Sequence, residues 1–165
     1  MIIRGIDIYK MKLIENMIEP KLQIQPAGVE LTLKEVETIE DTGSIDLTNK
    51  NRKIPKTKRL KFDKEGKIRL KKGTYKIRYN EIVKIPQQMI AIAYPRSSLI
   101  RSGATIFTAI WDPGYVGRSE SLLLVLNDKG ITLEKNARLI QLIYIKLEKE
   151  PHRTYDGRYQ KENIR

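Results

Sequence analysis

The chain has no cysteine, so disulfide bonds and thiolate metal centres are excluded. It has one histidine, His152, which leaves no second imidazole for a catalytic pair or a histidine zinc cluster. Aromatic residues make up only 7% of the chain, and no clear aromatic ladder accompanies its most basic stretch, residues 50–76. No apolar run approaches the roughly 18 residues that a membrane span needs. Met1-Ile2-Ile3-Arg4 opens no signal peptide, so a cytoplasmic protein is expected. No internal repeat or low-complexity linker is present. What remains for chemistry is carboxylates, hydroxyls, amides and a hard cation.

Charge of one sign is abundant, but only locally. The net charge is +12, yet residues 50–76 alone hold 13 Lys/Arg against two acids, and the other 138 residues carry 19 bases and 18 acids. Within that segment Arg59-Leu60-Lys61-Phe62 and Lys67-Ile68-Arg69-Leu70 alternate with period two around Asp63-Lys64-Glu65-Gly66. The pattern predicts a hairpin with apolar residues inward and lysines outward. It reads first as a solvated basic face and second as a surface that attracts polyanions.

With 165 residues, 40% of them hydrophobic, the chain suits one domain with a proper core. Strand signals fill it: Leu22 and Ile24 alternate with Lys21, Gln23 and Gln25, and Val29, Leu31 and Leu33 repeat the pattern. Ile82–Ile85, Met89–Ile92, Leu122–Leu126 and Arg138–Leu147 follow. Ile6 to Met17 fits one short helix opened by Asp7. Ser97 or Ser98 fits the cap of a single helical turn that ends at Gly103. Many short strands and little helix predict an all-β sandwich or barrel-like domain over residues 1–150. The polar residues 151–165 fit a flexible C-terminal tail.

Four places carry polar groups that the strand pattern does not need. Asp112-Pro113-Gly114 is a turn signal, but Tyr115 follows at a spacing that lets ring and carboxylate frame one pocket. Arg96-Ser97-Ser98 supplies a guanidinium and two hydroxyls at a helical turn, either as a cap or as an anion cradle. Gln141 interrupts an apolar strand, where its amide needs a partner. Glu30 follows Gly28 in Ala27-Gly28-Val29-Glu30-Leu31, and that glycine suggests that something approaches the backbone closely.

These segments resemble the motifs of the superfamily of trimeric dUTP pyrophosphatases and dCTP deaminases. Ala27–Leu31 is similar to the first motif, Arg96-Ser97-Ser98-Leu99 to the second, Ala109–Gly117 to the third and Arg138-Leu139-Ile140-Gln141-Leu142 to the fourth. They occur in order and span residues 27–142. The resemblance implies a β-clip or distorted jelly-roll-like barrel in a homotrimer, with active sites at subunit interfaces and residues 151–165 as a lid. It implies that Asp112 orients and deprotonates the water that attacks the α-phosphorus of dUTP, and that Tyr115 packs under the deoxyribose. Backbone from Phe107 to Trp111, Ala109 and Ile110 included, would read the uracil edge. Arg96, Ser97, Ser98 and Gln141 would hold the triphosphate, with Arg158 and Tyr159 of the tail closing over it. Mg²⁺ is the implied cofactor, reached by Glu30 through water. Glu30 stands where the family has Asp, Asn136 where it usually has Gly, and the tail resembles the deaminase one.

Deaminases of this superfamily place a catalytic glutamate three residues before an asparagine at the strand end. Counting back from Asn127, that place holds Leu124, and the nearest glutamate is Glu120. Hydrolysis of dUTP is therefore the leading expectation and dCTP deamination, alone or in a bifunctional deaminase/pyrophosphatase, with Glu120 re-registered, the runner-up. A non-catalytic nucleic-acid binder gripping through residues 50–76 is the third.

Overall fold

The computed structural model describes residues 1–164. Its short helices are α1 (Gly5–Lys10), α2 (Pro20–Gln23) and α3 (Ser97–Arg101). The first strands are β1 (Ile14–Glu15), β2 (Ile24–Gln25), β3 (Gly28–Ile39), β4 (Thr57–Arg59), β5 (Lys67–Leu70), β6 (Gly73–Tyr79) and β7 (Ile82–Lys84). The chain continues through β8 (Met89–Pro95), β9 (Ala104–Phe107), β10 (Val116–Gly117), β11 (Glu120–Val125), β12 (Ile131–Glu134) and β13 (Arg138–Lys146). The protein is thus all-β, with helix confined to single turns or little more.

The main sheet runs β8-β13-β3-β6-β11-β9, with β2 and β4 added to β3. Its two end strands come back together: beyond β9 the chain forms an antiparallel bridge between Trp111 and Ala91 of β8, with both N–H···O distances 3.0 Å. That bridge nearly closes a barrel and lays residues 107–112 along β8. Inward residues alternate as period two demands. Val29, Leu31 and Leu33 of β3 are wholly buried, as are Ile140, Leu142 and Tyr144 of β13. A bulge after Leu33 shifts the parity of β3, so Val36 points inward while Glu35 and Glu37 stand opposite Arg78 and Lys76.

The basic segment folds differently from its periodicity. The Asp63–Gly66 turn forms, with Asp63 N–H donating to the Lys67 carbonyl at 2.7 Å and the Asp63 carboxylate accepting from the N–H of Glu65 and Lys67. Its two arms do not pair with each other. Lys67–Leu70 pairs with β12, setting Ile68 against Leu133 and Leu70 against Ile131, while Thr57–Arg59 pairs with the end of β3. Apolar cross-strand partners elsewhere outcompete the local hairpin. Near the N-terminus, α1 is shorter than Ile6–Met17, because Lys12 takes a left-handed φ of 55°. Residues 20–23 form a helical turn begun by Pro20 instead of extending the strand toward Leu22.

Gly28 explains itself structurally. A Cβ there would lie 2.3 Å from the carbonyl oxygen of Leu142, so β13 could not approach β3 at this point if the residue were larger. The element that comes close to the backbone is β13, which carries Gln141.

Candidate active site

The cleft beside Glu30 is built from three adjacent strands. Gln141 of β13 faces Glu30 of β3 on one side and Tyr94 of β8 on the other, so these three side chains share one face of the sheet. Arg96 leaves β8 two residues later, held by its N–H on the Leu139 carbonyl at 2.9 Å, and starts α3 without a side-chain cap. Gly103 ends that turn at φ 76°. Glu30, Tyr94, Arg96, Ser97 and Gln141 line one hollow; Ser98 faces the neighbouring one, which Arg96 also lines. The expected phosphate cluster is therefore assembled within a single chain, save that Ser98 points to the adjoining wall.

Glu30 is engaged by two guanidiniums. Its buried carboxylate accepts from Arg96 Nε at 2.6 Å and from Arg138 Nη1 at 2.8 Å. Among the described residues no group of three His, Cys, Asp or Glu side chains comes together to hold a metal ion. Both oxygens of the one acid in this cleft are thus committed to guanidiniums, and the protein side chains do not fit a resident Mg²⁺ site. Arg138 is the residue that sequence reasoning passed over. Its signal was present, as the first residue of the fourth motif, but period two puts residues 138 and 141 on opposite faces. A bulge between Arg138 and Ile140 returns it to the face of Glu30, opposite Thr32, where it lines the adjoining hollow with Arg96 and Ser98.

The other expected site residues lie at the other end of β8. Asp112 is exposed, in a turn closed by Tyr115 N–H donating to the Asp112 carbonyl at 3.1 Å. Gly114 N–H reaches the Ile85 carbonyl at 3.0 Å and Ile85 N–H the Tyr115 carbonyl at 2.8 Å, which pins the turn to the end of β7. Phe107 and Ile110 are 59% and 60% exposed, and Thr105–Ile110 lines a hollow with Tyr94 and Pro95. Asp112 shares a different hollow with Ile90 and residues 151–157. Ile90 in β8 and Arg96 just past its end are six residues apart, roughly 20 Å of extended chain. A single chain therefore does not bring Asp112 to the Arg96 cleft.

Tyr115 is covered. It is only 5% exposed, its hydroxyl donates to Glu162 Oε1 at 2.8 Å, and its ring meets Tyr155 edge-on at 5.7 Å. The tail expected to be mobile is docked here, along residues 113–118. Tyr155 N–H donates to the Pro113 carbonyl, Lys161 N–H to the Val116 carbonyl, and Arg118 N–H to the Glu162 carbonyl. Gln160 bridges Val116 N–H and the Gly114 carbonyl, and Asn163 donates to the Arg118 carbonyl. A polar tail finds order because the turn it covers offers a row of backbone partners. Arg158 and Tyr159 stay exposed, with Arg52 5.9 Å above the Tyr159 ring. Burial raises the Glu162 carboxyl above the ordinary glutamate range, against the hydrogen bond from Tyr115, and burial likewise raises Tyr115.

Glu120 lines a groove with Phe107, Ala109 and Leu122, but its carboxylate is bound by Arg78 at 2.6 Å and Lys76 at 3.1 Å. Leu124 stands opposite Thr105.

With this geometry in view, the comparisons with known proteins are consistent. Residues 7–147 match the family model described as dCTP deaminase-like. The chain is 54% identical over 151 residues to a probable deoxyuridine 5'-triphosphate nucleotidohydrolase of Methanosarcina mazei, covering 92% of this chain and 88% of that one. It is 38% identical over 138 residues to the deoxyuridine 5'-triphosphate nucleotidohydrolase of Methanocaldococcus jannaschii, covering 83% and 86%. Among solved structures the fold is similar to the 2'-deoxycytidine 5'-triphosphate deaminase of Agrobacterium tumefaciens, with a TM-score of 0.62 and 18% identity. That likeness covers 87% of this chain and 47% of the other, so this chain spans about half of that neighbour's length. The chain belongs to the dCTP deaminase-like family.

Proposed function

We propose that this protein hydrolyses dUTP to dUMP and pyrophosphate. The relatives that match it over most of both lengths carry that activity in their names. The observation that favours hydrolysis over deamination is the state of Glu120. A deaminating glutamate must pass protons to and from the base, and this carboxylate is committed to Arg78 and Lys76. The position counted for that glutamate holds Leu124, which has no proton to give.

In this reading Asp112 orients a water for attack on the α-phosphorus and takes its proton; its exposure at a rigid turn leaves the carboxylate open to solvent and substrate. Arg96, Ser97 and Gln141 bind the phosphates, Ser98 serves from the adjoining wall, and the guanidinium offsets charge as the bond to the leaving pyrophosphate breaks. Exposed backbone at Ala109 and Ile110 pairs with the uracil edge. The substrate is the Mg²⁺ complex of dUTP, with the cation carried on the phosphates. Because Asp112 and Arg96 lie at opposite ends of β8, a complete site takes each from a different copy of the chain. A closed homotrimer supplies three such junctions. Tyr115 can support the deoxyribose only once the strap over it shifts, and Arg158 and Tyr159 then reach the nucleotide from that strap.

The test is to incubate the protein with dUTP and, separately, with dCTP, each with Mg²⁺. Pyrophosphate and dUMP from dUTP support the reading; ammonia released from dCTP, with dUTP left intact, overturns it.

A further inference from the structure

The Glu30 carboxylate lies behind two arginines. Its side chain is 6% exposed, whereas those of Arg96 and Arg138 are 29% and 30% exposed, so the guanidiniums separate the carboxylate from solvent. Arg96 Nη1 also donates to the Arg138 carbonyl at 3.4 Å, and Arg138 Nη1 to the Leu22 carbonyl at 2.7 Å. From beneath, Gln23 Nε2 holds the Glu30 carbonyl at 2.8 Å and the buried Glu81 carboxylate at 2.7 Å. Arg96 Nη2 and the Nε and Nη2 of Arg138 have no protein acceptor among the described residues.

One carboxylate paired with two guanidiniums leaves a net positive charge with unspent N–H donors, a combination suited to phosphate oxygens. A carboxylate that must attract the water shell of a divalent cation needs negative charge to spare, and two cations at 2.6 and 2.8 Å remove it. Glu is also the length this geometry uses: it spans both arginines from a strand position where the family has the shorter Asp.

We propose that Arg138 is a second phosphate-binding guanidinium of this site, and that Glu30 positions Arg138 and Arg96 instead of serving a metal ion. The arginines are fixed before the nucleotide arrives, so binding does not have to order two long side chains. The assignment rests on the triphosphate reading above, but not on which base the nucleotide carries.

Calorimetric binding of a non-hydrolysable imido analogue of dUTP to the whole protein tests it, once with Mg²⁺ and once with chelator. Arg138→Gln and Glu30→Gln are each expected to weaken the analogue roughly tenfold or more, by the same factor in both conditions. Glu30→Asp, one methylene too short to hold both guanidiniums, weakens it as well. The Glu30→Gln/Arg138→Gln double variant is no worse than the weaker single one, because both act through one unit. Wild-type affinity in Arg138→Gln overturns the proposal. So does a Glu30→Gln loss confined to the Mg²⁺ condition, or tighter Mg²⁺-dependent binding by Glu30→Asp. If Glu30→Gln does not fold, Arg138→Gln and Glu30→Asp decide. Failure of the dUTP reading is distinguishable: wild-type protein would then ignore the dUTP analogue and take a dCTP one, on which the same variants give the same comparison.

Discussion

Asp112 is the residue on which turnover depends in this reading, and its isolation makes it a clean target. Among the described residues it forms no side-chain ion pair, and its turn is held by backbone bonds. Asp112→Asn should lower kcat by about 10²–10⁴-fold, the usual scale for loss of a general base, while the imido analogue binds as before. A stopped assay of pyrophosphate release beside calorimetry checks both; unchanged turnover would remove Asp112 from the chemistry. Glu162 is the second informative residue. Burial raises its carboxyl above the value it has when the tail is free, so the docked tail binds a proton more readily than the released one. Docking is then strongest below the ordinary glutamate range and weakens as pH climbs through the raised value. Hydrogen exchange of residues 155–163, corrected for intrinsic rates, should show protection falling as pH rises above the ordinary glutamate range. Glu162→Gln should flatten that trend, and a trend surviving in the variant would assign it elsewhere.

At the scale of elements, close packing of β3 and β13 sets the phosphate cleft. A methyl group at position 28 would overlap the Leu142 carbonyl and press on Gln141 Cγ at 3.4 Å. Gly28→Ala should therefore lower Tm by roughly 5–10 °C, the cost of overpacking a rigid junction in a domain of this size. It should also weaken the analogue, because Gln141 and Glu30 stand opposite each other across that junction. A variant with wild-type melting and binding would mean that the strands separate without consequence. The strap formed by residues 155–163 is held differently from this close-packed pair: it rests on hydrogen bonds and one aromatic contact, with little apolar burial of its own.

At the scale of the whole molecule, the separation of Asp112 from Arg96 makes activity a property of the assembly in the proposed reading. Mixing Asp112→Asn with Arg96→Gln subunits, each inactive alone, should restore about a quarter of wild-type activity at random exchange, since some junctions receive both intact residues. No recovery in exchanged mixtures would place each site within one chain. The same scale accounts for the charge. Lys53, Arg59, Lys67, Lys72 and Lys76 pair with acids, so the basic segment is partly neutralised in place, and no helix among the described residues is long and apolar enough to cross a membrane.

The amino-acid order alone determined the all-β class, the available chemistry and the four motifs, because alternation, absent thiols and turn residues act within a few positions of one another. Val29, Leu31 and Leu33 lie inward as their period requires, and Gly28 sits where a neighbouring strand comes close. Only the tertiary structure decided which strands pair, since Ile68 and Leu70 could choose between a near partner and the better-matched β12. It also decided that a bulge turns Arg138 toward Glu30, that Glu30 faces arginines, and that Tyr115 lies beneath the tail. Those outcomes depend on contacts between residues far apart in the chain, and burial in three dimensions selects among alternatives that local spacing leaves equal.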